Sequence, residues 1–128
     1  MAEIPTDLLY TEEHEYLKPD GADTVVVGIT DFAQGELGDV VYVELPKVGS
    51  AYDAHQVFGT IEAVKAVSEL FCPVAGEIVE VNGRLDGEPS LVNSDPYGEG
   101  WMIKLKMKNP ADRDGLLDAA GYGAKLGQ

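Results

Sequence analysis

"VVVGITDFAQGELGDVVYVELPKVG", residues 25–49, returns in pattern 38 positions later as "AVKAVSELFCPVAGEIVEVNGRLDG", residues 63–87. Gly28, Ile29, Thr30, Asp31 and Phe32 fall on Ala66, Val67, Ser68, Glu69 and Leu70, and Gly38, Val41, Val43 and Gly49 fall on Gly76, Val79, Val81 and Gly87. The match resumes after four extra residues, where "GTIE" at 59–62 corresponds to "WMIK" at 101–104, and the insertion sits in the turn-rich "NSDPYGEG". Neither half is long enough to bury an apolar face alone. Quasi-repeats over about 25–62 and 63–104 therefore imply two similar β units packed about an approximate two-fold axis. Gly38 and Gly76 are expected in matching turns, each followed by a strand that sends alternate valines inward. Lys65 then takes the place of Val27.

Around the repeat, short runs rich in Val, Ile and Tyr are separated by Gly, Pro, Asn and Asp: "DTVVVGIT", "GDVVYVELP", "QVFGTIEAV", "GEIVEVN" and "WMIKLKM". These are strands. The expected fold is mainly β, two antiparallel sheets forming a small sandwich or flattened barrel with short peripheral and C-terminal helices. One helix is expected in "TDFAQGELG", with Asp31 as its cap, Gln34 reaching back and Gly38 stopping it. A C-terminal helical segment is expected over about 110–126, with Asn109 as N-cap, Pro110 in the first turn, and Leu116 and Leu117 packed on the sheets.

At 128 residues the chain is long enough for one domain with its own core, residues 1–128, and too short for a second. No apolar run approaches a membrane span, and the N-terminus has neither a secretory nor a transit-peptide pattern, so a cytoplasmic, bacterial-type chain is expected. A net charge of −14 argues against nucleic acid, because phosphate binding needs clustered Lys and Arg, and only nine basic residues stand against twenty-three acidic ones. Protein partners fit better. An acidic surface steers the molecule toward basic patches and keeps copies apart, so a monomer that uses no membrane is expected. The single cysteine, Cys72, excludes an internal disulfide and reads as a small apolar residue.

Against this acidic background, "GTIEAVKAVSELF", residues 59–71, sets one lysine among small apolar residues. A solvated charge with its stem on apolar surface is the ordinary reading of such a lysine. However, Lys65 falls where "FGTIEAV" turns back through "AVSELF", and Val64–Ala66 lack the Asn-Gly or Asp-Gly that favours a tight hairpin. Something besides turn propensity selects these residues. Small neighbours such as Ala63 and Ala66 keep the approach to that tip clear.

Nearly the whole chain resembles the H-protein family of the glycine cleavage system, through "YTEEHEYL", "VGITDFAQGELGDVVYVELPKVG", "FGTIEAVKAVSELFCPVAGEIVEVN" and "LVNSDPYGEGWMIKLK" in order and spacing. Departures are mild: Ala63 and Cys72 stand where serine is common, Tyr16 where tryptophan is, and Glu13 replaces a small polar residue. The resemblance implies a barrel-sandwich hybrid of the biotinyl/lipoyl-carrier type and a non-enzymatic carrier with lipoic acid in amide linkage on Lys65. It implies transfer of the aminomethyl group of glycine from a pyridoxal-phosphate-dependent glycine decarboxylase (P protein) to a tetrahydrofolate-dependent aminomethyltransferase (T protein). Dihydrolipoyl dehydrogenase (L protein) takes up the reducing equivalents, and a lipoate-attaching enzyme is a further partner. It also implies that the loaded arm folds into a surface cleft where Glu15 and Glu69 hold the amine, since a buried ammonium needs carboxylate partners.

Other readings are weaker. His14 beside Glu15 lacks a second histidine at ligand spacing, so no metal is expected, and His55 has no evident partner. The glycines of "DPYGEGW" mark a turn rather than a phosphate loop. A biotin carrier typically brackets its lysine with methionines, whereas Val64 and Ala66 flank Lys65. A lipoyl domain of a 2-oxoacid dehydrogenase is usually followed by a Pro/Ala-rich linker and an acyltransferase domain. An unmodified interaction protein predicts that Lys65 is interchangeable with arginine.

Overall fold

A computed structural model describes residues 3–127, so residues 1, 2 and 128 of the expected domain lie outside it. Its elements run β1 (Leu9–Tyr10), β2 (Glu15–Pro19), β3 (Thr24–Ile29), α1 (Asp31–Leu37), β4 (Val40–Glu44), β5 (Ala51–Tyr52), β6 (Val57–Ala63), β7 (Val67–Phe71), β8 (Gly76–Val81), α2 (Arg84–Gly87), α3 (Leu91–Ser94) and β9 (Ile103–Met107). A 3-10 turn, Pro110–Gly115, and α4 (Ala119–Leu126) follow. Two antiparallel sheets result, a six-stranded one ordered β1-β2-β3-β9-β8-β5 and a three-stranded one ordered β4-β6-β7. All five strand runs read from the sequence are present, and the two sheets stay open rather than closing into a barrel.

The core lies between the sheets because the strands alternate. Val25, Val27 and Ile29 of β3, Val40 and Val43 of β4, Ile61 of β6, Leu70 of β7, Ile78 of β8, and Ile103, Leu105 and Met107 of β9 all turn inward. Cys72 lies in that core as a free thiol. A second cluster, Leu8, Tyr10, Tyr16 and Tyr122, joins the N-terminal strands to α4, with Tyr10 and Tyr122 stacked at 4.7 Å and 5°. The C-terminal helix is thus anchored, not merely peripheral. Leu116 packs on the main core and Leu117 on the tyrosine cluster.

The 38-residue offset holds in detail over part of the chain. Val40 and Tyr42 pair with Ala63 and Glu62 across a bulge at Val41; Ile78 and Glu80 pair with Leu105 and Lys104 across a bulge at Val79. Both bulged valines are exposed, and Val40 and Ile78 are both buried. Before those strands the offset fails. Val26 faces Lys104 of β9 as Val67 faces Glu62 of β6, which aligns β3 with β7 three residues later than the sequence match does. Lys65 therefore does not stand in for Val27. The connection from β3 to β4 carries α1, whereas β7 reaches β8 through Cys72, Pro73, Val74 and Ala75 alone. Accordingly Gly38 (φ 79°) ends a helix while Gly76 opens a strand, so the two glycines do not share a turn.

Helix α1 is capped by Thr30, whose Oγ1 accepts from Ala33 N at 3.3 Å, rather than by Asp31. Asp31 instead accepts from Gln34 Nε2 at 2.8 Å, one residue inside the helix. Thr30 holds the extended conformation an N-cap needs, and Asp31 adds a carboxylate to the first turn. The segment expected as one helix over 110–126 divides at Leu116–Asp118. Asn109 caps the 3-10 turn, accepting from Ala111 N, and Asp118 caps α4, accepting from Gly121 N. Residues 84–94, where no element was expected, hold α2 and α3, which bury Leu85 and Val92. Among the described residues no helix is long and apolar enough to cross a membrane.

Candidate functional site

Lys65 stands at the tip of the β6–β7 hairpin. Ala63 N donates to Ala66 O at 2.7 Å and closes a two-residue loop of Val64 and Lys65. Neither loop residue has the positive φ that the mirror-image hairpin turns require. The loop is held from outside: Val64 N donates to Asp39 O at 3.0 Å, and Val40, the next residue, pairs with Ala63. Gly38 completes this seat. A Cβ there would come within 3.1 Å of Lys65 Cε, so the absent side chain makes room for the lysine stem. Lys65 is exposed, Val64 beside it is 76% exposed, and no ion pair among the described residues engages the ammonium.

Three residues beyond Lys65, Ser68, Glu69 and Leu70 of β7 enter the wall of a cavity of about 240 Å³. Helix α1 supplies the opposite wall through Phe32, Ala33, Glu36 and Leu37, and Glu13, His14 and Glu15 close one end. Glu15 and Glu69 are thus brought to one cavity, although Glu69 is exposed and Glu15 is only 2% exposed. A β-type turn explains how Glu15 is delivered. His14 N donates to Thr11 O at 3.2 Å, Glu15 N to Thr11 Oγ1 at 3.1 Å, and Thr11 Oγ1 to Glu15 Oε1 at 2.8 Å. Burial pushes the Glu15 carboxyl up to about 8, with the nearby Glu13 adding to the rise and the bonds from Thr11 and Phe71 N opposing it. It is therefore largely protonated at neutral pH. A cation entering the cavity would reverse that, since an opposite charge within a few ångströms favours the carboxylate.

The sequence did not reveal the part played by His14. Its backbone adopts φ 69°, its ring lies 5.0 Å from that of Phe32, and its Nδ1 is 2.8 Å from Tyr122 Oη, so it packs in the wall. No cluster of His, Cys, Asp and Glu suited to a metal ion occurs among the described residues. His55 does have a partner, Glu13 Oε1 at 3.2 Å on the surface, contrary to the expectation from sequence. The residues lie far apart in the chain, and the β-turn that places His55 has a positive φ invisible in the sequence. A larger depression, about 430 Å³, lies along β5, β8 and β9 of the other sheet, away from the Lys65 hairpin.

A two-sheet scaffold that offers one lysine on a hairpin tip, beside an acid-lined cavity, defines a swinging-arm carrier domain. The sequence matches the family model "Glycine cleavage H-protein" over residues 8–128. It is 54% identical over 124 residues to the glycine cleavage system H protein of Symbiobacterium thermophilum, covering 97% of this chain and 96% of that one. With the H protein of Chlorobium limicola it shares 57% identity over 127 residues, covering 98% of each. The crystal structure of a glycine cleavage system H protein from Mycobacterium marinum superposes with a TM-score of 0.89 at 38% identity, covering 98% of this chain and 100% of that one. The chain belongs to the glycine cleavage H-protein family. Its members are non-catalytic carriers that bear a lipoyl group on a lysine.

Proposed function

We propose that Lys65 carries the lipoyl group, and that Glu15 and Glu69 receive the amine of the loaded arm. The hairpin geometry is the observation that supports this reading: Lys65 is exposed, in no ion pair with the described residues, and three residues from the first cavity-lining residue of β7. When attached, the lipoyl group supplies the sulfur chemistry that accepts the aminomethyl group and the electrons. The protein's own residues bind and shield. Glu69, at the open side, meets the ammonium first; Glu15, deeper and bonded to Thr11, pairs with it as a carboxylate once the cation lowers its proton affinity. Ile29, Phe32, Leu37, Ile61 and Leu70 keep water from the amine.

On this reading the partners are the glycine decarboxylase that loads the arm, the aminomethyltransferase that unloads it, dihydrolipoyl dehydrogenase, and the enzyme that attaches lipoate. Each works on the monomeric carrier in the cytoplasm. Glycine cleavage reconstituted from the three enzymes is the test. Lys65→Arg keeps the charge and the fold but offers no acylation nucleophile, so the system should stop turning over. Full turnover with the arginine variant would refute the assignment. The double variant Glu15→Gln, Glu69→Gln should accept lipoate normally yet release ammonia and formaldehyde faster from the loaded carrier when the transferase is withheld.

A further inference from the structure

The wall of the cavity is tied to the C-terminal helix by one hydroxyl. Tyr122 Oη lies 2.8 Å from His14 Nδ1 and 2.7 Å from Thr30 Oγ1, and Tyr122 is fully buried. His14 precedes Glu15 at one end of the cavity, and Thr30 caps α1, which forms a side wall. The same two segments also meet through the backbone, where Thr30 N donates to His14 O at 3.0 Å. We propose that Tyr122 is a positioning residue for the carrier site: its hydroxyl holds His14 as the neutral tautomer with the proton on Nε2, and so fixes the turn that presents Glu15.

Proton counting supports that assignment. Thr30 Oγ1 already accepts from Ala33 N, and its own hydrogen finds an acceptor in Tyr122 Oη. Tyr122 then has one hydrogen left, which is directed to His14 Nδ1 as an acceptor. Among the described residues, both hydroxyl hydrogens find acceptors in this direction, from Thr30 through Tyr122 to His14. A protonated His14 carries N–H at both nitrogens, would force the Tyr122 bond to reverse, and would leave the Thr30 hydrogen without an acceptor. Burial also holds the His14 pKa below its ordinary value, assisted by Lys125 of α4 and opposed by Glu13 and Glu36. Glu15 and Glu69 face the same cavity.

Neutrality matters because the arriving cargo is a cation. An imidazolium in the wall would repel the ammonium and compete for the carboxylates that hold it. The positive φ of His14 adds a second need for a tether, since a non-glycine residue persists there only when its surroundings over-determine it. Tyr122 supplies that tether from a helix remote in sequence. The role rests on the reading of Glu15 and Glu69 given above, and the two are separable by experiment.

Tyr122→Phe keeps the ring stacked on Tyr10 and removes only the hydroxyl. Nitrogen-15 NMR of the imidazoles reads the tautomer directly, and His55, exposed and bonded to Glu13 rather than to Tyr122, is an internal reference among only two histidines. Wild type should show His14 neutral and protonated at Nε2 near pH 7; the variant should lose that tautomer preference and titrate at higher pH. Lipoylation should be unchanged, and the lifetime of the loaded carrier should fall roughly two- to tenfold, the equivalent of one lost hydrogen bond. Tyr10→Phe, which loses a bond to Pro5 O but touches neither His14 nor Thr30, should move neither readout. An unchanged His14 signature in Tyr122→Phe overturns the proposal, and so does a changed signature with an unchanged lifetime when Glu15→Gln shortens it. If Glu15→Gln also leaves the lifetime unchanged, the cleft reading itself has failed, and the positioning role falls with it.

Discussion

Glu15 should make the protein less stable as pH rises, and Glu15→Gln should remove that dependence. The carboxyl is 2% exposed, accepts one strong bond from Thr11 and a 3.5 Å contact from Phe71 N, and has an acid, Glu13, as its charged neighbour. Burial raises it from the model-peptide 4.5 to about 8. Between those values the folded protein binds a proton that the unfolded chain has released, so the slope of unfolding free energy with pH is negative. Stability conferred by the neutral carboxyl is fully present below pH 4.5 and lost as pH climbs through 8. At about 1.4 kcal/mol per pH unit, the loss is about 3 kcal/mol by pH 7 and approaches about 5 kcal/mol above pH 8. Glutamine mimics the protonated acid in size and can still accept from Thr11. Urea unfolding of wild type and Glu15→Gln from pH 5 to 9 isolates the effect, because the other carboxylates contribute equally to both. The curves should lie close at pH 5 and separate toward pH 9, with the variant more stable and its midpoint roughly 1–3 M higher. A constant difference across that range would show that Glu15 ionises normally and would refute the buried-acid account.

Three further outcomes follow from the packing. Gly28 sits under the ring of Tyr16, where a Cβ would come within 2.7 Å of the hydroxyl; Gly28→Ala must displace that ring and its bond to Pro96 O, and urea unfolding should show a loss of about 1–3 kcal/mol. Thr30→Ala removes the cap of α1 and a partner of Tyr122, so it should cost about 1–2 kcal/mol by the same measurement and more than Asp31→Ala does. Cys72, buried with its thiol pushed up to about 12, should resist alkylation at pH 8 in the folded protein and react promptly in denaturant, as timed by mass spectrometry.

The strands were legible because their alternation of Val and Ile with polar residues is a local signal, and the matched bulges at Val41 and Val79 explain why the two segments resemble each other so closely. What the alternation does not encode is connection length. The sequence match therefore placed helix α1 over β7 and put Lys65 on Val27, when the lysine hairpin follows its own register. That Lys65 stands at a hairpin tip was legible from its setting. Asp39 and Gly38, which hold the hairpin, were not, because they reach it through one carbonyl and one missing side chain. The Tyr122–His14–Thr30 network spans 108 residues and leaves no periodic trace. Glu15 was named from resemblance; its burial and its tie to Thr11 needed the fold.

Lys65 is the proposed lipoyl acceptor. Intact-mass spectrometry of wild type and Lys65→Arg from lipoate-fed cells, followed by peptide mapping, tests it most directly. Wild type should gain the mass of one lipoyl group, located on the peptide that contains Lys65, and the arginine variant should gain none. A lipoyl group on another lysine, or on the arginine variant, would contradict it.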